Sequence, residues 1–337
     1  KDMDPDMVWI PKNYDNKYLG PISLRTALAR SRNLVSVKLI DMFGPTRAIE
    51  LARRAGITSR LDAVLSLGLG TGEVSLLGLT GAYQAIANLG ILAKPYSIES
   101  ITESTTGEIL ENNAPILSEA LPPAPTFVLI DAMKSVVKYG TARSISWSIK
   151  QPLAGKTGTT QDNRDLWFIG FAPEVTAGAW MGYDNFGSLG KKASGGTTVV
   201  LWWRQVMKQI LRDYRNIDFG PPPEGIVFAA VCEFNGKLSR RTCPKVNLEV
   251  FLKDNSPQEF CDEEIHEREP LVVRSRELLP DTTGMQTIIL RGVTLQVPIQ
   301  PENDPQEEEG DEASADENSE NSQDLEEGDE DDQNRED

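Results

Sequence analysis

Three strand-like runs follow one another between residues 153 and 181, and this succession constrains the fold more than any other feature of the chain. They are Leu153 to Thr160, Leu166 to Ala172 and Thr176 to Met181. Helical patterns surround them. Ser23 is placed to cap a helix from Leu24 to about Arg30, and Ser31-Arg32-Asn33 then falls at a helix-to-helix junction. A helix from Leu34 to Met42 stops at Gly44-Pro45, and Thr46 is placed to cap another from Arg47 to Ala55. Val74 to Asn88 and Thr126 to Tyr139 have apolar residues at helical spacing, and a closing helix is expected over Thr197 to Tyr214. A hairpin is expected around Ser104-Thr105-Thr106-Gly107, between strands at Tyr96 to Thr102 and Glu108 to Leu110. The order is helices, hairpin, helix, strands, then a terminal helix. It predicts an α+β fold, an antiparallel sheet with helices packed on it beside a helical lobe.

Composition divides the chain further. Pro221-Pro222-Pro223 reads as a stiff linker. Beyond it, strand signals at Val227 to Val231, Thr287 to Leu290 and Thr294 to Val297 suggest a small β-rich module. The net charge of −17 belongs to the end of the chain: residues 301–337 hold 19 acidic residues and one basic residue. The preceding 300 residues are nearly neutral, which gives no footprint for nucleic acid. With Leu325 as its only large apolar side chain, the acidic segment cannot offset the entropy of ordering, and it reads as a disordered, solubilising extension. The expected organisation is a principal domain over 1–218, a module over 219–300 and a tail over 301–337. No run of 18 apolar residues is present. The chain opens at Lys1 without a signal-like segment, as expected for a processed or truncated N-terminus.

Lys156-Thr157-Gly158-Thr159 lies on the first of the three strand candidates. Lys156 offers a compact positive charge and Thr157 a hydroxyl donor. Gly158 lets another backbone approach closely. A backbone N–H beyond it can face a developing oxyanion, where one donor is worth about 3 kcal/mol of barrier. A solvent-facing turn containing a lysine would read the same way. Ser31 and Asn33 can act as a proton shuttle and an orienting amide, or simply cap helix ends.

The flanks of these motifs resemble the transpeptidase domain of class A, bifunctional penicillin-binding proteins. The resembling blocks include Trp9-Ile10-Pro11-Lys12-Asn13-Tyr14, Leu24 through Asn33, and Leu67-Gly68-Leu69-Gly70-Thr71-Gly72-Glu73-Val74. They continue in Ala82 to Asn88, Val136-Val137-Lys138-Tyr139-Gly140-Thr141-Ala142, Gly155 to Thr160, Asp165 to Pro173 and Trp180 to Asp184. The resemblance implies a penicillin-recognising, β-lactamase-like serine transpeptidase fold, incomplete at the N-terminus. It also implies acyl transfer on peptidoglycan stem peptides, with release of D-alanine and formation of a cross-link. Carried over, Lys156 and Thr157 bind the terminal carboxylate, Gly158 permits antiparallel pairing with the peptide, and Thr159 supplies an oxyanion N–H. Ser31 relays a proton to the leaving amine, and Asn33 holds the substrate amide. The implied partners are stem peptides and their lipid-linked precursor, with β-lactams as inhibitors, at the periplasmic face of the bacterial cytoplasmic membrane. No cofactor and no metal are implied.

The family's nucleophilic serine-x-x-lysine is missing before Ser31. Ser135/Lys138 and Ser188/Lys191 match it elsewhere, in the wrong order. The chain is therefore expected to be the C-terminal portion of a longer enzyme, inactive alone, with nucleophile, membrane anchor and glycosyltransferase domain upstream. The alternatives are a DD-carboxypeptidase or serine β-lactamase, or a non-catalytic cell-wall-binding relative. Cys232, Cys243 and Cys261, with His266 five positions on, lack a C-x2-C knuckle. One disulfide with a spare thiol is favoured over zinc or buried thiols, and the pairing is not legible.

Overall fold

The computed structural model describes residues 9–262, 285–290 and 293–298. The acidic segment 301–337 and His266 lie outside the described residues. Within them the fold is α+β, as the order of elements predicts.

The three strand runs form one antiparallel sheet: β5 (Ala154–Thr159), β6 (Asp165–Phe171) and β7 (Thr176–Gly182), in the order β5-β6-β7. β5 is thus an edge strand of this sheet, with Lys156 opposite Ile169 and Gly158 opposite Trp167. Because side chains alternate, Leu166 and Phe168 point to one face and Phe171 to the other. On the first face Phe168 meets Trp203 edge-on at 4.9 Å. Trp203 belongs to α6 (Val200–Ile210), and its indole N–H donates to Ala177 O at 2.9 Å. On the second face Phe171 packs with Tyr83 of α4 (Leu76–Ala87) and with Ile130 and Met133 of α5 (Pro123–Lys138). Burying aromatic side chains of this size stabilises the fold by about 2–3 kcal/mol each.

A helical lobe adjoins this sandwich: α1 (Leu24–Ala29), α2 (Asn33–Phe43) and α3 (Pro45–Arg54). Ser23 caps α1 as expected, accepting from Thr26 N at 3.2 Å. The expected cap at Thr46 is corrected. α3 starts two residues earlier, at Pro45, with Gly44 in the cap position and no side-chain cap bond. Proline supplies a helical φ and has no N–H needing a partner, so this start requires no cap.

Four short strands, β1 (Ile91–Ala93), β2 (Ser100–Thr102), β3 (Ile109–Asn112) and β4 (Leu117–Glu119), separate α4 from α5. β2 and β3 form the expected hairpin, in a shorter version, and β1 pairs with β4. After the prolines, β8 (Ile226–Cys232) pairs antiparallel with β9 (Val246–Leu252), and β10 (Met285–Leu290) pairs with β11 (Val293–Pro298). The β8–β9 ribbon is held to the helices by Arg25 of α1. Its guanidinium contacts Asp131 of α5 and Glu249 of β9, the latter at 2.6 Å, and donates to Ser135 Oγ at 3.1 Å.

No helix among the described residues is long and apolar enough to cross a membrane.

Candidate active site

The end of α1 explains how a loop serine becomes a positioned one. Arg30 closes the helix, Ser31 N–H donates to Leu28 O at 3.1 Å, and Arg32 N–H reaches back to Ala27 O at 2.9 Å. This pair of bonds is the Schellman arrangement, in which the residue after the cap adopts the left-handed conformation. Glycine usually holds that position, but here it is Ser31, with φ of +51°. A side chain in this region costs about 1–2 kcal/mol. The strained backbone turns the hydroxyl towards the sheet, where Ser31 Oγ accepts from Lys156 Nζ at 2.7 Å.

Lys156 lies on the edge strand, on the same face as Gly158. Its ammonium also donates to Thr157 O at 2.8 Å. Among the described residues no carboxylate pairs with it. Burial without a counter-ion disfavours the charged form and brings its pKa from 10.5 down to about 8. The ammonium has only donors, so Ser31 Oγ accepts in this bond and its own proton points elsewhere. The pair therefore offers a cation and a transferable hydroxyl proton at one point.

The rest of the Ser31-Arg32-Asn33 corner is anchored to the segment before α1. Arg32 is buried and donates to Asp15 Oδ2 at 2.8 Å and to the Lys17 carbonyl. This guanidinium holds the Asp15 carboxyl below its ordinary value. Asn33 Nδ2 donates to Lys12 O at 2.8 Å, and buried Asn13 accepts from Leu34 N at 3.3 Å. Asn33 therefore stands at the start of α2 with its amide engaged by backbone, whereas Ser31 meets Lys156 directly.

Thr157 is buried and its hydroxyl lies 2.7 Å from that of Thr141. Thr159 is exposed, and its Oγ1 accepts from Gly195 N at 3.0 Å, which fixes the end of β5. A Cβ at Gly158 would lie 3.0 Å from Trp167 Cβ, so the strand leaves little slack for a side chain at that point.

Thr141 had no role assigned from the sequence. Its N–H donates to Ala29 O at 3.1 Å, so the turn after α5 is bonded to the end of α1. Gly140 permits this approach: a Cβ there would be driven into the Ala29 carbonyl oxygen and to 2.8 Å from Val136 Cα. The signal was a Gly-Thr pair ending a helix, but its partner 112 residues upstream cannot be read locally.

Neither out-of-order serine resembles a nucleophile. Ser135 is buried and accepts from Arg25 Nη1, while Ser188 Oγ donates to Asp162 O at 2.6 Å.

Comparison with known proteins accords with this geometry. Residues 3–207 match the model of the penicillin binding protein transpeptidase domain, and residues 222–266 match that of the penicillin-binding protein 1A C-terminal domain. Penicillin-binding protein 1A of Aquifex aeolicus is 43% identical over 258 residues, covering 76% of this chain and 34% of that protein. The Neisseria lactamica protein of the same name is 38% identical over 211 residues, covering 61% of this chain and 26% of its own length. The chain thus spans about a third or less of these curated relatives. Among solved structures, penicillin-binding protein 1A from Haemophilus influenzae superposes with a TM-score of 0.71 at 25% identity, over 77% of this chain and 44% of that one. PonA1 from Mycobacterium tuberculosis, solved with penicillin V, shares the fold with a TM-score of 0.58 at 23% identity, over 63% of this chain and 62% of that one. The chain belongs to the penicillin-binding protein transpeptidase family.

Proposed function

We propose that this chain forms the substrate-binding half of a peptidoglycan DD-transpeptidase active site. The observation that carries the reading is the 2.7 Å bond between Lys156 Nζ and Ser31 Oγ at an open sheet edge. A half-buried cation without a carboxylate partner invites one from the ligand, and an unpaired edge invites an extended peptide.

In this reading a stem peptide lies antiparallel to β5. Its terminal carboxylate meets Lys156 and the Thr157 hydroxyl, which is available to donate when Thr141 supplies the proton between the two threonines. Gly158 leaves the backbone accessible, and the Thr159 N–H faces the carbonyl oxygen as it becomes an oxyanion. A serine oxygen bonds to the penultimate D-alanine carbonyl carbon, and the C–N bond to the terminal D-alanine breaks. The proton given up by the attacking serine passes through the lysine of its own motif and Ser31 to the leaving amine, and Lys156 keeps its charge on the carboxylate. An amine from a neighbouring stem then displaces the serine and forms the cross-link. The nucleophile is taken from a serine-x-x-lysine segment outside this sequence, in a longer protein at the cell envelope. The module at 219–300 and the tail at 301–337 are separate units of that protein. Asn33 contributes by holding the leading segment in place and, with the longer protein assembled, by binding the substrate amide.

Covalent labelling by fluorescent penicillin tests the assignment. The parent protein should be labelled, and Lys156→Ala should lower the acylation rate about 100-fold or more, as for loss of a principal electrostatic contact. Undiminished labelling of that variant would remove Lys156 from the site. A covalent adduct on the present chain alone would return Ser135 or Ser188 to consideration.

A further inference from the structure

The module after the prolines contains an unassigned convergence of donors. Cys232, Cys243 and Cys261 are all buried, and their Sγ atoms lie within 4.8 Å of one another. From these positions we infer that the three cysteines form a structural zinc site that staples the β8–β9 module.

Two turns and one backbone bridge bring the sulfurs together. Cys232 ends β8 at a tight turn: Gly236 N donates to Cys232 O at 2.8 Å, and Cys232 N donates to Lys237 O at 2.8 Å. Cys243 closes a second turn, with its N–H on Arg240 O at 3.1 Å. Cys261 is held by its N–H on Leu238 O at 2.8 Å. Leu238 bridges Val231 on one side and Phe260 on the other, so the residues preceding Cys232 and Cys261 flank one backbone position.

Two of the sulfurs are faced by N–H donors. Arg240 N–H points at Cys243 Sγ at 3.2 Å and the Asn235 amide at Cys261 Sγ at 3.3 Å. Such N–H donors stabilise negative charge on coordinating sulfur and fix its orientation. The Arg240 guanidinium donates to Cys261 O at 2.9 Å, bringing a positive charge beside a site whose three thiolates outweigh one divalent ion.

The packing asks for a staple. Among residues 224–262 the buried apolar side chains are the three cysteines, Val231 and Val250. So small a core around the β8–β9 ribbon gains from a staple, and small units of this kind use a metal or disulfides. A disulfide would use two sulfurs and leave the third buried beside them. A zinc ion uses all three. Zn–S bonds of about 2.3 Å in a tetrahedron put sulfurs about 3.8 Å apart, which requires only a small contraction of the cluster. The fourth position belongs to a donor outside the three.

The untagged chain, purified reduced and without chelator, should carry about one equivalent of zinc by elemental analysis. Its three thiols should resist alkylation until EDTA is added. Cys243→Ser should lose the metal. If that variant fails to fold, cobalt(II) exchanged into the unaltered chain provides an independent measurement, and sulfur-to-cobalt charge-transfer absorption is expected. A reduced chain that takes up no zinc or cobalt would overturn the inference. So would a chain lighter by two hydrogens with one remaining thiol, because that is a disulfide.

Discussion

Arg25 Nε donates to Glu249 Oε2 at 2.6 Å, joining the helix that presents Ser31 to a strand 224 residues further along the chain. The same guanidinium contacts Asp131, so one cation serves carboxylates from α5 and β9 at once. The Arg25 and Glu249 side chains retain 15% exposure each, which places the pair between a surface bridge and a buried one.

Arg25→Ala should destabilise the chain by about 2 kcal/mol, because it leaves two carboxylates facing each other without their cation. Glu249→Gln keeps a hydrogen-bond acceptor and should cost less than about 1 kcal/mol. Urea unfolding midpoints of the two variants give the comparison. Equal midpoints for Arg25→Ala and the unaltered chain would mean that the network contributes nothing to the docking of β9.

Ser31 provides a second test, since its conformation and its chemistry pull in opposite directions. Ser31→Gly removes the left-handed strain and should be more stable than Ser31→Ala by about 1 kcal/mol in thermal unfolding. Both variants lose the hydroxyl that meets Lys156, so both should acylate slowly in the parent protein. A Ser31→Gly variant with unimpaired acylation would show that the hydroxyl carries no proton.

Much of this site was legible because its parts are local. The lysine-threonine-glycine run is followed closely by a second strand-like run, Leu166 to Ala172, and the helix break at Ser31-Arg32-Asn33 shows in the pattern on either side. What was not legible depends on partners far apart in the chain. The Thr141 and Thr157 hydroxyls meet only because Gly140 lets α5 end against Ala29. Arg25 looks like any helix-surface arginine until α5 and β9 arrive. β1 and β4, at three residues each, are too short for alternation to register. β9 alternates, but its Leu248 is 70% exposed, so the apolar pattern does not map onto one buried face. The cysteine spacings of ten and seventeen residues show no knuckle, and it is the bridges at Leu238 that close the distance.

Gly140 tests whether the site is assembled by backbone contact between α1 and α5. Gly140→Ala must push Val136 or the Ala29 carbonyl aside, at a cost of about 2–3 kcal/mol. It should also weaken acylation in the parent protein, although residue 140 touches no ligand, since the end of α1 moves and takes Ser31 with it. Measuring labelling well below the melting temperature separates the two effects. Normal labelling of a destabilised variant would show that the α1–α5 contact supports the fold alone.

The Lys156 ammonium gives the site a pH dependence whose sign follows from burial. Below about 8 the lysine is charged whether the chain is folded or not. Between about 8 and the ordinary 10.5 the unfolded chain holds a proton that the folded chain has lost. Stability therefore gains from this residue as pH rises through that window, because the unfolded state binds more protons there. Ligand binding runs the other way. In the proposed function a peptide ending in D-alanyl-D-alanine uses the ammonium for its carboxylate, so its affinity should fall as pH rises past about 8. The bound carboxylate should move that midpoint upward, since a nearby negative charge favours the protonated form. Calorimetric titration of the peptide from pH 7 to pH 10, with Lys156→Met as the control that flattens the profile, reads both effects. A pH-independent affinity in the unaltered protein would place the carboxylate on some other group.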